Sequence, residues 1–403
     1  MLSPDLLEKL VIKNDTKIVY LILDGVGGLE VEGKGGTELQ VAHTPNLDEL
    51  AKNSICGLLD PVAPGITPGS GPSHFALFGY DPFKSNIGRG VLEASGIAFP
   101  LTPRDVVARI NYATIDKEGR IIDRRAGRIT NSENNRICAK LRKNINLGSN
   151  IEVFVEPVKE HRAVLVLRGD GLEGDIDDTD PQQVGLFPLE PRANNSESKA
   201  TAKLVSDFLY QAKSILADEK KANMILLRGF ARHRVYPSLE TRFGLKSLAI
   251  TTYPMYKGIA RLLGMTILPS LENLEDEFKA LKDQYNNYDF FYLHIKQTDS
   301  RGEDGDFDAK VKVIEEVDGF LPQITELNPD VLVVTGDHST PAKWGGHSWH
   351  PLPVILNSKF CRVDQVTRFD EISCIQGGLG RQATVNLMTI VLANAGRLAK
   401  FGA

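Results

Sequence analysis

Three stretches of the chain repeat one pattern of apolar and polar positions: KIVYLILD at 17–24, DFFYLHIKQTD at 289–299 and DVLVVTGDH at 330–338. Each contains a run rich in β-branched or aromatic residues and reaches an acidic residue at or just past its end. Apolar runs without polar alternation predict strands covered on both faces, in the middle of a parallel sheet. Between the last two, DFDAKVKVIEEVDGFLPQI repeats Phe307, Val311, Ile314, Val317 and Leu321 at helical spacing, which completes a strand–helix–strand unit. Ligands of such sheets collect beyond the carboxyl ends of the strands. Asp24, Asp299 and Asp337 are expected to gather there.

The middle of the chain has a different texture. From about residue 100 to about residue 245, short strand-like runs (VARINYATI, GRIIDR, IEVFVEPV, AVLVLRG) alternate with turns, and one amphipathic helix is expected around 199–216. The α/β pattern returns with LKSLAITTY and GIARLLGMTIL. This texture predicts a smaller domain inserted at 99–245, with linkers near 97–103 and 240–248, into a first domain formed by 1–98 and 246–403. A length of 403 residues with 42% hydrophobic content suffices for two cores.

Charge and cysteine usage remove several functions. A net charge of −5 with no basic run argues against a nucleic-acid partner. Cys56, Cys138, Cys361 and Cys374 form no CxxC pair, so neither a zinc ribbon nor a disulfide framework is indicated, and a reducing compartment is expected. The N-terminal stretch lacks the apolar core of a signal peptide, and the most apolar C-terminal stretch, 385–393, is far shorter than a membrane span. A cytoplasmic protein without a membrane partner is expected.

A divalent cation needs anionic oxygens or imidazole nitrogens converging from several loops. The candidates are Asp24 in LDGVGG, Asp299 in TDSRGEDGD, Asp337 and His338 in GDHSTP, and His347 in GGHSWHPLP. Any one Asp after a strand is more often a cap or turn residue. Three strand-end carboxylates together with an Asp-His pair point instead to a metal site. In ITPGSGPSHFALFGYDP, Ser70 stands between glycines at the mouth of a helix expected to begin near Pro72. Local pattern fits a helix cap and an exposed nucleophile equally well. A cation beside the hydroxyl favours the nucleophile, because it lets the hydroxyl ionise near neutral pH.

With LDGVGG, HTPNLDELA, TPGSGPSHFALFGYDP, DRRAGRI, EHRAVLVLRG, DTDP, YPMYKGIARLLGM, HIKQTD, GDHSTP and HSWHPLP, the chain resembles the archaeal-type branch of the cofactor-independent phosphoglycerate mutases, within the alkaline phosphatase superfamily. The resemblance runs over essentially the whole chain. It implies an α/β fold: an alkaline-phosphatase-like three-layer domain with a central, mostly parallel sheet and an inserted smaller α+β domain. It implies interconversion of 2- and 3-phosphoglycerate, in glycolysis or gluconeogenesis, through a phosphoserine at Ser70 and without bisphosphoglycerate. Two divalent ions are implied, Mn or Mg in first place with Co or Zn as alternatives. One would be held by Asp24, Ser70, Asp337 and His338, the other by Asp299, His347 and the residue four after Asp299.

That last residue departs from the family pattern. Glu303 stands where a histidine is expected. A carboxylate there shifts preference toward hard ions and away from zinc. Phosphoglycerate carries a phosphate and a carboxylate, which arginine can clamp bidentately. The candidates for that task are Arg124, Arg125, Arg128, Arg162, Arg228 and Lys257. A related metal-dependent phosphatase or a homoserine-kinase-like phosphoryl transferase remain alternatives, and a homo-oligomer is compatible with the sequence.

Overall fold

Burial follows the apolar runs. In the computed structural model, which describes residues 4–85, 87–269 and 271–402, all six residues of Ile18–Leu23 are buried, as are all of Phe290–Ile295 and Val331–Thr335. The first three residues of the N-terminal stretch lie outside the described residues. The thirteen strands of the described residues are, in chain order, β1 (Ile18–Leu23), β2 (Ile55–Asp60), β3 (Asp105–Ile115), β4 (Ile121–Asp123), β5 (Glu152–Lys159), β6 (Arg162–Arg168), β7 (Met224–Arg232), β8 (Ser247–Ile250), β9 (Thr266–Ile267), β10 (Phe290–Ile295), β11 (Val331–Thr335), β12 (Leu352–Ser358) and β13 (Gly380–Ala383).

Two compact units divide these strands. The first comprises Met1–Asn86, Pro237–Tyr253 and Leu263–Ala403. It holds an eight-stranded sheet in the order β13-β2-β12-β11-β1-β10-β8-β9. Every neighbouring pair is parallel except those made by β12, which runs against both β11 and β2. The three unbroken runs are the adjacent strands β11-β1-β10, where burial on both faces rewards uniform apolarity. Their register pairs Leu23 with Ile295 and Ile22 with Thr335, so the three carboxyl ends lie level.

The helix between β10 and β11 spans Phe307–Phe320, begun by Asp306, whose side chain accepts from Ala309 N. Phe307, Ile314, Val317 and Leu321 are buried as the spacing predicts. Val311 is only half-buried, and the neighbouring Lys310 is buried completely instead.

The second unit comprises Ile87–Tyr236 and Pro254–Leu262. Its five strands form an antiparallel sheet with β3 pairing β4, β6 and β7, and β5 beyond β6. Its core packs Ile110, Tyr112, Leu165 and Leu227 of the sheet with Leu141 and Phe208 of the helices Asn131–Asn144 and Lys199–Ile215. This unit begins earlier than residue 99 and takes back the helix Pro254–Leu262, which the sequence pattern assigned to the first domain. The cause is a close helix pair. A Cβ on Gly258 would overlap the Leu92 carbonyl oxygen, and one on Gly96 would lie 2.7 Å from the Pro254 carbonyl oxygen, so the helices Arg89–Gly96 and Pro254–Leu262 meet backbone to backbone. The four cysteines are free, and no helix among the described residues is long and apolar enough to cross a membrane.

The glycine contact can be tested. Gly258→Val places bulk against a main-chain carbonyl that cannot step aside, and overpacking of this kind costs about 1–3 kcal/mol. A lowered urea midpoint is expected; an unchanged midpoint would show that the two helices do not meet as described.

Candidate metal centre and anion cradle

Asp24 is the residue after β1, and its N–H donates to the Ile295 carbonyl of β10 at 2.9 Å. Its own carbonyl accepts from the Thr298 hydroxyl at 2.5 Å, which fixes the start of the helix Gln297–Glu303. Asp299 lies in the first turn of that helix and Glu303 one turn later, so both face the same way. Asp337 and His338 follow β11. Asp24, Asp337, Asp299 and His338 are all fully buried.

Their reactive atoms converge in two groups that share His338. Asp24, Asp337 and His338 form one, Asp299, His338 and His347 the other, each with its ligand atoms within 4.8 Å of one another. His338 Nε2 lies 3.3 Å from Asp24 Oδ1 and 3.2 Å from Asp337 Oδ2. The rings of His338 and His347 stack with centroids 3.7 Å apart.

Proton placement follows from the partners. The Thr340 hydroxyl donates to Asp299 Oδ1 at 2.6 Å, so its oxygen accepts from His338 Nδ1 at 3.0 Å. That leaves a bare lone pair on His338 Nε2, aimed at two carboxylates. His347 Nδ1 donates to the Pro68 carbonyl at 2.9 Å, which leaves its Nε2 bare, 3.7 Å from Asp299 and 3.9 Å from Glu303. Asp24 Oδ1 and His338 Nε2 are buried without a hydrogen-bond partner among the described residues. A cation satisfies buried lone pairs that converge in this way. The donor set therefore fits a divalent metal.

Charge around the cluster agrees. Burial would raise Asp24, but Lys296, His294 and His338 outweigh it and hold the carboxyl well below its usual range. Burial pushes His338 below the ordinary imidazole value, which keeps it neutral and able to coordinate. Lys296 Nζ lies 3.2 Å from Asp24 Oδ2 and also pairs with Asp299. His294 of β10 lies 3.2 Å from Asp24 Oδ2, and His74 3.2 Å from Asp337 Oδ2. Lys296 and His74 stand inside motifs quoted above without having been assigned a role.

Ser70 is the first residue of the helix Ser70–Leu77, two residues earlier than expected, and Gly69 occupies the cap position. Ser70 is thus not the cap. Its hydroxyl makes no hydrogen bond among the described residues, while its carbonyl accepts from His74 Nδ1 and the Ser73 hydroxyl. The Ser73 hydroxyl also reaches Asp337 Oδ2 at 3.3 Å, and Pro68 holds His347, so this turn adjoins both groups. Glu303 is half-exposed and stands outside the two tightest groups, with its carboxyl on the side of His347. Partial burial and the nearby Asp299 raise its pKa.

The candidate cations belong to the second unit, where they divide by partner. Arg124 makes a bidentate pair with buried Asp180 at 3.0 and 2.7 Å, and Arg228 lies 3.3 Å from Asp178 and 3.7 Å from Asp180. The DTDP motif thereby anchors two of the predicted arginines. Arg162 and Arg109 each lie 3.7 Å from Glu93, a single carboxylate between two guanidinium groups. Burial, with Arg89, Arg228 and Arg162 nearby, pushes Arg109 down to about 10 despite Glu93. His161 is pushed down to about 4 by burial and by Arg162, Arg125 and Arg128. Arg125 and Arg128 are exposed, and Lys257 lies on the helix Pro254–Leu262. Arg89 and Arg109 were not among the sequence candidates. Arg109, Arg162 and Arg228 thus keep guanidinium groups close together with few carboxylates between them, an arrangement that suits an anion.

Comparison with known proteins decides the family. A protein of Thermus thermophilus named as a probable 2,3-bisphosphoglycerate-independent phosphoglycerate mutase is 48% identical over 400 residues, 98% of each chain. One of the same name from Aquifex aeolicus is 48% identical over 408 residues, 99% of this chain and 100% of its own. The chain belongs to the 2,3-bisphosphoglycerate-independent phosphoglycerate mutases. The family model described by that name matches residues 51–222. Among solved structures, the cofactor-independent phosphoglycerate mutase of Thermoplasma acidophilum shares 29% identity with a TM-score of 0.70, over 94% of this chain and all of that one. The PH0037 protein of Pyrococcus horikoshii shares 27% identity with a TM-score of 0.82, over 96% of this chain and all of that one.

For a phosphoglycerate mutase with this donor set, Glu303 is the position that should tune the metal. Glu303→His replaces an anionic oxygen by an imidazole and is expected to move preference from Mn toward Zn or Co. Glu303→Ala should weaken one of two binding events in a Mn titration of the metal-stripped protein. Two unchanged binding events in Glu303→Ala would remove Glu303 from the ligand set.

Proposed function

We propose that this protein interconverts 2- and 3-phosphoglycerate through a phosphoserine at Ser70. Family membership supports the reaction, together with metal dependence and independence from bisphosphoglycerate. The observation that carries the residue assignment is the convergence of carboxylate and imidazole ligand atoms next to the helix turn that begins at Ser70, whose Ser73 hydroxyl reaches Asp337. Asp24, Asp337, His338 and Ser70 would hold one divalent ion; Asp299, His347 and Glu303 would hold a second, with Mn or Mg favoured by the oxygen-rich donors. Such ions lower the pKa of a bound hydroxyl and offset phosphate charge.

The chain's own groups account for the rest. The Ser70 oxygen attacks phosphorus, the bond from phosphorus to the glycerate oxygen breaks, and that oxygen takes up the proton Ser70 gave away. The second hydroxyl of glycerate then attacks the phosphoserine, and the Ser70 oxygen leaves and is reprotonated. Arg109, Arg162 and Arg228, with Arg89 beside them, would hold the carboxylate and phosphate oxygens during the exchange. Arg124 serves this cradle indirectly, by fixing Asp180 beneath Arg228.

Purified protein with Mn is expected to convert 3-phosphoglycerate to 2-phosphoglycerate with no bisphosphoglycerate added, and to lose that activity in excess EDTA. Activity that persists after exhaustive chelation, or that requires bisphosphoglycerate, would refute the reading. Release of inorganic phosphate in place of the isomer would point to a phosphatase of similar architecture.

Ser70→Ala should reduce turnover by at least a thousandfold with an unchanged melting curve, since Gly69 and not Ser70 caps the helix. A variant keeping a tenth of wild-type rate would show that Ser70 is no nucleophile.

A further inference from the structure

Lys310 is the most deeply placed cation near the metal centre, and it touches none of the ligands. It sits on the helix Phe307–Phe320 with no exposed surface. Its ammonium has three N–H donors, and the structure gives each a main-chain carbonyl: Gly25 at 2.9 Å, Gly27 at 3.2 Å and Thr340 at 2.9 Å. Glu38 supplies the compensating charge at 3.7 Å, while its Oε1 also accepts from Ala342 N at 2.8 Å.

Those carbonyls belong to the two loops that carry the ligands. Gly25 follows Asp24, and its N–H donates to Asp337 Oδ1 at 3.2 Å. Thr340 lies two residues past His338, and its hydroxyl bridges His338 Nδ1 and Asp299 Oδ1. The loops also meet each other, because Thr340 N donates to the Gly25 and Gly27 carbonyls at 3.2 and 3.1 Å. Behind them Gly28 N donates to Glu371 Oε1 at 2.7 Å. A Cβ on Gly27 would overlap the Ser339 hydroxyl and one on Gly28 would overlap the Glu38 carboxylate, so the glycines of LDGVGG make this approach possible.

We propose that Lys310 is a positioning residue that locks the Asp24 loop to the His338 loop from behind and so sets the spacing of both metal-ligand groups. A neutral side chain could fill the same volume but could not gather three carbonyls from two loops to one point. A displacement of the Thr340 carbonyl would carry with it the hydroxyl that orients His338 and Asp299. The inference rests on the metal-bearing reading of the two groups.

The full-length, metal-stripped chain would be titrated with Mn2+, following free ion by electron paramagnetic resonance, for wild type, Glu38→Gln and the double variant Lys310→Met/Glu38→Gln. The double change removes both buried charges together, so that neither is left alone in the interior. Expected results are a cooperative melt for the double variant, Mn2+ affinity at least tenfold weaker at both sites, and affinity within threefold of wild type for Glu38→Gln, which keeps the three carbonyl bonds. A folded double variant that binds Mn2+ as tightly as wild type overturns the positioning role alone. A double variant that does not fold makes Lys310 a core residue and also overturns it, whereas wild-type protein that binds no Mn2+ overturns the metal-bearing reading with it.

Discussion

Three carboxylates buried at the level ends of three parallel strands are the constraint on which this structure turns. Asp24, Asp299 and Asp337 lie in a region of low polarity, and burial by itself raises the two that β1 and β11 deliver. Everything nearby answers that charge. Lys296 and the imidazoles of His294 and His74 lie against the carboxyl oxygens, while His338 Nε2 faces two of the carboxylates with a lone pair. The fully buried strands β1, β10 and β11 supply the packed base from which these residues project.

Much of this was legible because the chemistry follows the strands in sequence. An acidic residue just past an unbroken apolar run can be located without knowing the fold, and Asp24, Asp299, Asp337 and His338 were found that way. His347 and Ser70 were singled out from their own motifs, but nothing local says that their loops reach the same end of the sheet, and only the resemblance tied them to particular ions. Lys310 escaped notice although the signal was present. It lies three residues after Phe307 and four before Ile314, on the stripe that the helix buries, yet a lysine there reads as a break in the stripe. Arg109 gave no signal, because a strand alternation cannot say which polar side is dry. The helix Asn131–Asn144 also went unread, although Thr130 and Glu133 form its capping box.

The second unit handles charge by the opposite rule. Two of its carboxylates each serve two arginines: Asp180 lies against Arg124 and Arg228, and Glu93 lies between Arg109 and Arg162. The first unit gathers carboxylates and imidazoles at the ends of its strands, and the second gathers guanidinium groups around a few carboxylates. The compact second unit takes in Arg89–Gly96 and Pro254–Leu262, a helix pair the sequence pattern could not show, because Gly96 and Gly258 carry no apolar signal although the helices meet by having no side chain there.

The lone antiparallel strand, β12, has a consequence for how the ligand set can vary. Because β12 runs back beside β11, the chain between them never leaves the ligand end of the sheet, and one loop delivers Asp337, His338 and His347 together. A parallel neighbour would have needed a crossover that carries the chain to the far end and back. Three of the candidate ligands therefore sit on a single loop, and the rings of two of them, His338 and His347, stack on each other. Changes of length in that loop would displace both binding positions at once. Independent adjustment of one position is left to the helix after β10, the element on which Glu303 departs from the family's histidine.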